Sequence, residues 1–173
     1  MIVYKLTDQN MKTYNGFQWE LGQKYVATGP SPTLCTAGLL HGYADPLLAV
    51  LHNPIHANYK NPRLFRAKTF GLAVKDGQLK LGSSGMMLIK ELLLPVPTQN
   101  QRVAYGILCA LEVYKDSNFT TWAKNWLSGK DRTAYDAAHA AYAAAHAAAY
   151  AAHDAAEKKL NLIRLARKAM KIQ

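Results

Sequence analysis

Histidine and tyrosine are the side chains of this 173-residue chain best stocked for chemistry: it has six of the first and ten of the second. Histidine titrates near neutral pH and is the commonest metal ligand. His139, His146 and His153 sit in one alanine-rich stretch with Tyr135, Tyr142 and Tyr150 between them. Their steps of four, three, four, four and three residues place all six on one face of a helix. Seven residues of helix span about 10.5 Å. Zinc–nitrogen bonds are about 2 Å long, so no two of these histidines can share an ion within one chain, and no metal site is expected. The stripe instead suits packing or self-association, with apolar ring bodies turned inward and polar tips at the rim.

Two groups of cations stand out against a formal net charge of +10. Lys60, Arg63, Arg66 and Lys68 are interleaved with Tyr59 and Phe65 and with no acid, a pattern that suits phosphate contacts with aromatic stacking, or an acidic surface. An exposed strand edge that uses lysines to discourage aggregation would look the same. Near the end of the sequence Lys158, Lys159, Arg164, Arg167, Lys168 and Lys171 alternate with Leu160, Leu162, Ile163, Leu165, Met170 and Ile172. That is a basic amphipathic helix, suited to docking on an acidic partner. Cys35 and Cys109 lie far apart without CxxC spacing and read as two buried small apolar residues.

The elements that must position these groups fall into two sets. Ile2 to Leu6, Phe17 to Leu21 and Lys24 to Thr28 have strand patterns, and Leu64 to Phe70 is strand-like. Asp45-Pro46 starts a short helix ending near His52. Asp76-Gly77 predicts a tight hairpin with both residues at its centre, Gly82 to Gly85 a loop, and Met86 to Leu94 a further strand. After Pro95 and Pro97 the Thr98–Gln101 capping box opens a helix buried along Val103, Ile107, Leu111 and Tyr114. A second helix begins near Asn118 and ends at Gly129. A single long helix, from about 133 to 171, closes the sequence because it lacks both glycine and proline. The expected fold is therefore α+β: a β-rich domain over 1–97, a small antiparallel sheet with one short helix, and a helical region over 98–173.

The succession GFQWELGQKY, LCTAGLLHGYADPLLAVL and NPRLFRAKTFGLAVKDGQLKLGSSGMMLIKELLL resembles a family of uncharacterised phage and bacterial proteins. The alanine-rich end is similar to domains labelled immunity proteins. In that family a Cys is followed, after two residues, by Gly-Leu-His or Gly-Phe-His. Here Cys35 and Gly38 fit, and Leu39-Leu40-His41 holds one residue more. The resemblance implies a fold and a phage-like setting and carries no settled activity.

For an enzyme, the candidate catalytic residues are His41, Tyr4 and Glu91, in an order that resembles, at the level of fold alone, the compact ADP-ribosyltransferases. No HExxH, GxSxG or phosphate loop of known spacing accompanies them. The balance of motifs therefore favours a non-enzymatic, phage-type accessory protein without a cofactor. It would bind an acidic protein or a nucleoprotein, with nucleic acid a candidate for direct contact, and act by inhibiting a host defence system. A virion component that oligomerises through the long helix, and a nucleotide-using enzyme, are the alternatives. The opening residues are too short and polar for a signal peptide and no apolar run approaches membrane-spanning length, so the expected location is the host cytoplasm or the virion.

Overall fold

The hairpin around Gly77 organises the N-terminal unit, Met1–Val96, in the computed structural model of the chain, which describes residues 1–29, 33–132 and 160–173. Its strands, β4 (Arg63–Asp76) and β5 (Lys80–Leu92), are the longest of the fold. The Leu79 amide donates to the Asp76 carbonyl at 3.0 Å, so the central residues of the turn are Gly77 and Gln78 rather than Asp76 and Gly77. Gly77 alone of these takes a left-handed conformation, with φ +50°.

Three further strands complete the sheet: β1 (Ile2–Thr7), β2 (Lys24–Val26) and β3 (Leu40–Tyr43). All pairings are antiparallel. β4 lies along β5 over nearly its whole length, β1 pairs β4 from Ile2↔Lys68 to Thr7↔Arg63, β3 pairs β5 from Leu40↔Ser83 to Tyr43↔Lys80, and β1 meets β3 at Tyr4↔Tyr43. Four strands thus pair in a closed circuit, and β2 adds to β5 through Tyr25↔Met86. Register shifts between Arg66 and Ala67 and between Phe70 and Ala73 supply the bending that closure requires.

The expected loop at Gly82 to Gly85 is strand. Its glycines serve close approach, not a turn: a Cβ on Gly82 would stand 2.7 Å from Leu39 Cδ1, and one on Gly85 2.1 Å from the Phe70 ring. Phe17 to Leu21 is not a strand, making only single bridges at Gln18 and Leu21. Its alternation instead drives Trp19 into the core, where the indole is 1% exposed, while Leu21 stays half exposed. Trp19 packs with Val3, Phe65, Ala67, Leu81, Met86 and Leu88. Gly42 is tight against this group, since a Cβ there would lie 2.6 Å from Val3 Cγ2. Gly42→Ala should therefore cost about 1–3 kcal/mol in a urea titration, and Val3→Ala in the same background should recover part of that loss.

Helix α1 (Pro46–His56) begins as expected, with Asp45 Oδ1 accepting from the Leu47 amide at 2.9 Å. It runs past His52 to His56, with Pro54 inside its last turn. Ala49 and Val50 of α1 pack on Leu6 and Leu64, so the two faces of the sheet carry separate cores.

The C-terminal unit, Pro97–Gln173, contains α2 (Gln99–Val113), α3 (Ser117–Leu127) and α4 (Leu162–Ala169) among its described residues. Both capping-box bonds form, at 3.0 and 3.2 Å. Helix α2 is buried around its whole girth from Val103 to Ala110, not along one face, and Tyr114 is 55% exposed. The expected single helix from about 133 to 171 is not continuous through Asn161, which has ψ 77° and caps α4 by accepting from the Arg164 amide at 2.9 Å. Asparagine competes with helical geometry by bonding the backbone itself. The Tyr/His stripe and the rest of 133–159 lie outside the described residues.

Candidate functional site

Strand register sorts the cations of the N-terminal unit onto different sides of the sheet. Arg66 faces Tyr4 and Lys90 on its neighbours, and Lys68 faces Ile2 and Met87, with Lys24 next beyond Met87. Paired residues point the same way, and residues two apart on a strand share a face. Lys24, Arg66, Lys68 and Lys90 therefore form one exposed basic patch across three adjacent strands, with no carboxylate at the intervening register positions. Ile2, 40% exposed, borders it.

Arg63 belongs to the opposite side. Its guanidinium grips Glu91 through two bonds of 2.8 and 2.7 Å and lies over the Phe65 ring. These bonds hold the Glu91 carboxyl below its usual range. Lys60 is exposed in the segment before β4. The sequence cluster of four is thus divided: Arg66 and Lys68 stay together and gain Lys24 and Lys90, which pairing across strands supplies and linear spacing hides.

The three candidate catalytic residues are not brought together. Tyr4 packs toward α1 with Tyr43, whereas Glu91 lies nine residues along β5 from Gly82, the partner of His41, or about 30 Å of strand away. His41 instead has other neighbours. Its Nε2 accepts from the Cys35 amide at 3.0 Å, and its carbonyl accepts from Lys5 Nζ at 2.8 Å. Lys80 Nζ stands 3.2 Å from Cys35 Sγ and 3.8 Å from Asp76. Burial first, then the two ammonium groups, lowers the His41 pKa to about 4. Burial also lowers Lys5 to about 8, with the Trp19 ring 5.3 Å from its ammonium. Nearby, the Tyr43 hydroxyl and His56 Nδ1 are 2.8 Å apart and their rings stack, while burial raises the Tyr43 pKa.

Cys35 is exposed, with φ +64°, unlike the buried Cys109, so only the second is the apolar filler expected. Lys5 and Lys80 escaped the sequence reading. The signal for Lys5 was its phase, shared with the buried Val3 and Thr7 on β1.

In the C-terminal unit, α4 turns Leu162, Leu165, Ala166 and Ala169 inward, and it packs on α2. Its apolar stripe is thereby used within the unit. Arg164 pairs with Glu112 at 2.8 Å, and Arg167, Lys168 and Lys171 are exposed; Lys158 and Lys159 lie outside the described residues. No group of three or more His, Cys, Asp or Glu is placed to hold a metal, and no helix is long and apolar enough to cross a membrane, among the described residues.

Fold and site together define a small antiparallel β-domain with a closed strand circuit, a basic outer patch and a cationic cluster around His41. Residues 1–96 match the model of the domain of unknown function DUF7666, and the chain belongs to that family. Comparison with curated proteins and with solved structures gave no match.

Proposed function

We propose that the protein acts by binding a nucleic-acid-bearing target, its basic sheet patch meeting the phosphate backbone. The observation that carries this reading is the placement of Lys24, Arg66, Lys68 and Lys90 on neighbouring strands without an opposing carboxylate. Cations about 7 Å apart along β4, and about 5 Å (Arg66 to Lys90) or about 10 Å (Lys68 to Lys24) across the strands, suit a polymer of repeating charge better than a single acidic side chain. A contact made by the backbone of nucleic acid needs no reading of bases. The resemblance of the N-terminal motifs to phage proteins supports an accessory role in the cytoplasm of a host cell.

Fluorescence anisotropy with labelled single-stranded and duplex oligonucleotides over a salt series tests this. Four phosphate contacts on a single strand should give a slope of log K against log salt near about −3, and Arg66→Glu/Lys68→Glu should flatten it by at least ~1.4. Salt-independent binding, or binding indifferent to the double substitution, would overturn the proposal. A variant protein that still binds nucleic acid and loses only an acidic protein partner would move the patch to that partner.

A further inference from the structure

The cluster around His41 opens into a cavity of about 700 Å³, every lining residue of which lies in the N-terminal unit. That volume is within the roughly 300–1,000 Å³ range of sites for small molecules. Two ammonium groups, Lys5 and Lys80, reach its wall, and no Asp or Glu is among the lining residues. They flank His41, one at its carbonyl and the other at the sulfur of the residue whose amide bonds its ring. The remaining wall is largely aromatic and aliphatic, including Trp19, Tyr43 and His56.

Three features of this wall point to the same kind of ligand. Enclosing an ammonium group is costly unless something compensates its charge. Lys5 has a backbone carbonyl and an indole face, and no carboxylate pairs with it among the described residues. His41, neutral and already accepting at Nε2, carries its proton at Nδ1 and so presents a donor rather than an acceptor. The stacked Tyr43 and His56 rings supply flat apolar surface beside these donors. The sequence blocks GFQW and LCTAGLLH, remote from each other in the chain, converge here through Phe17, Trp19, Cys35 and His41.

We propose that this cavity binds a small molecule joining an oxyanion to a planar ring, of about the size of a nucleoside monophosphate. The oxyanion sits at the Lys5 and Lys80 end and the ring lies along the aromatic wall. This site is separate from the basic patch and does not depend on it.

The test measures thermal stabilisation and calorimetric binding by nucleoside monophosphates, the matching uncharged nucleosides, inorganic phosphate and an aromatic carboxylate, each at millimolar concentration. At least one nucleoside monophosphate or aromatic carboxylate should bind, and the difference between them identifies the headgroup. The uncharged nucleoside should bind at least about tenfold more weakly, as should the ring-free phosphate. Lys5→Met, which removes an enclosed charge and shortens the side chain by only one heavy atom, should lose at least about tenfold in affinity, and Lys80→Met serves if the first variant does not fold. Arg66→Glu/Lys68→Glu should leave this binding unchanged. No binding by any ring-bearing oxyanion, equal binding of the uncharged nucleoside, equal binding of phosphate alone, or undiminished binding by a folded lysine variant would each overturn the proposal.

Discussion

Replacing Trp19 with alanine is expected to lower the stability of the N-terminal unit by about 3–5 kcal/mol. A domain of this size is stabilised by only about 5–15 kcal/mol in total, so the variant should be partly unfolded at physiological temperature. The indole is fully buried, stands in ring contact with Phe17 and Tyr25 at 5.0 and 5.1 Å, and donates from Nε1 to Thr13 Oγ1 at 3.0 Å. It is also the lid under which Lys5 tolerates enclosure, through the contact of its ring with the ammonium. Alanine leaves a cavity and removes that contact together. Trp19→Phe, which keeps most of the apolar volume and loses the hydrogen bond, should cost only about 1–2 kcal/mol. Urea midpoints followed by circular dichroism measure both, and a loss below about 1 kcal/mol for the alanine variant would show that the segment around Trp19 does not hold the sheet together.

Acid should destabilise the same unit well above the range where carboxylates protonate. His52 is 1% exposed, and burial, with smaller contributions from His56 and Lys80, lowers its pKa to about 3. His41 is lowered to about 4, and His56 is lowered as well, by burial first and by Lys80 next, against Asp76. An unfolded histidine takes up its proton near pH 6.5, while the folded protein resists it. Between about pH 6.5 and 3 the unfolded state therefore binds more protons, and stability falls as pH falls. For His52 alone the loss by pH 4 is about 3 kcal/mol; His41 and His56 add less, because they are partly exposed and solvent screens them. The expected result is a steep decline in the urea midpoint from pH 7 to pH 4. His52→Gln, whatever its stability at pH 7, should lose less over that interval, and a wild-type midpoint flat across it would contradict the burial of these imidazoles.

The sequence made the local devices legible and concealed the long-range ones. Asp45-Pro46, Thr98 with Gln101, and Gly129 announce helix ends through bonds that span two or three residues, and each is found in place. The closed strand circuit depends on Tyr4 meeting Tyr43 and on Ile2 meeting Lys68, which no short window contains. Glycine misled in one place: Gly82 and Gly85 were read for their backbone freedom, whereas the fold uses their lack of a side chain. The sites divide the same way. Arg66 and Lys68 were recognisable as neighbours on a strand, but Lys24 and Lys90 join them only across the sheet. His41 was singled out with Tyr4 and Glu91, and the chain folds it beside Cys35, Lys5 and Lys80.

The pairing of β1 with β4 also sets a clock on the birth of this domain. β1 ends at Thr7 and its longest pairing begins at Arg63, so the ribosome must add roughly 56 residues before the partner even starts to appear. At about 5–20 residues per second that is a wait of some 3–11 s, longer than hairpin β4–β5 needs to form once made. During it the apolar positions Val3 and Leu6, buried in the finished fold, have no sheet to enter. Within this domain β1 is thus made well before the strand that covers its edge, and that edge stays uncovered until β4 has been synthesised.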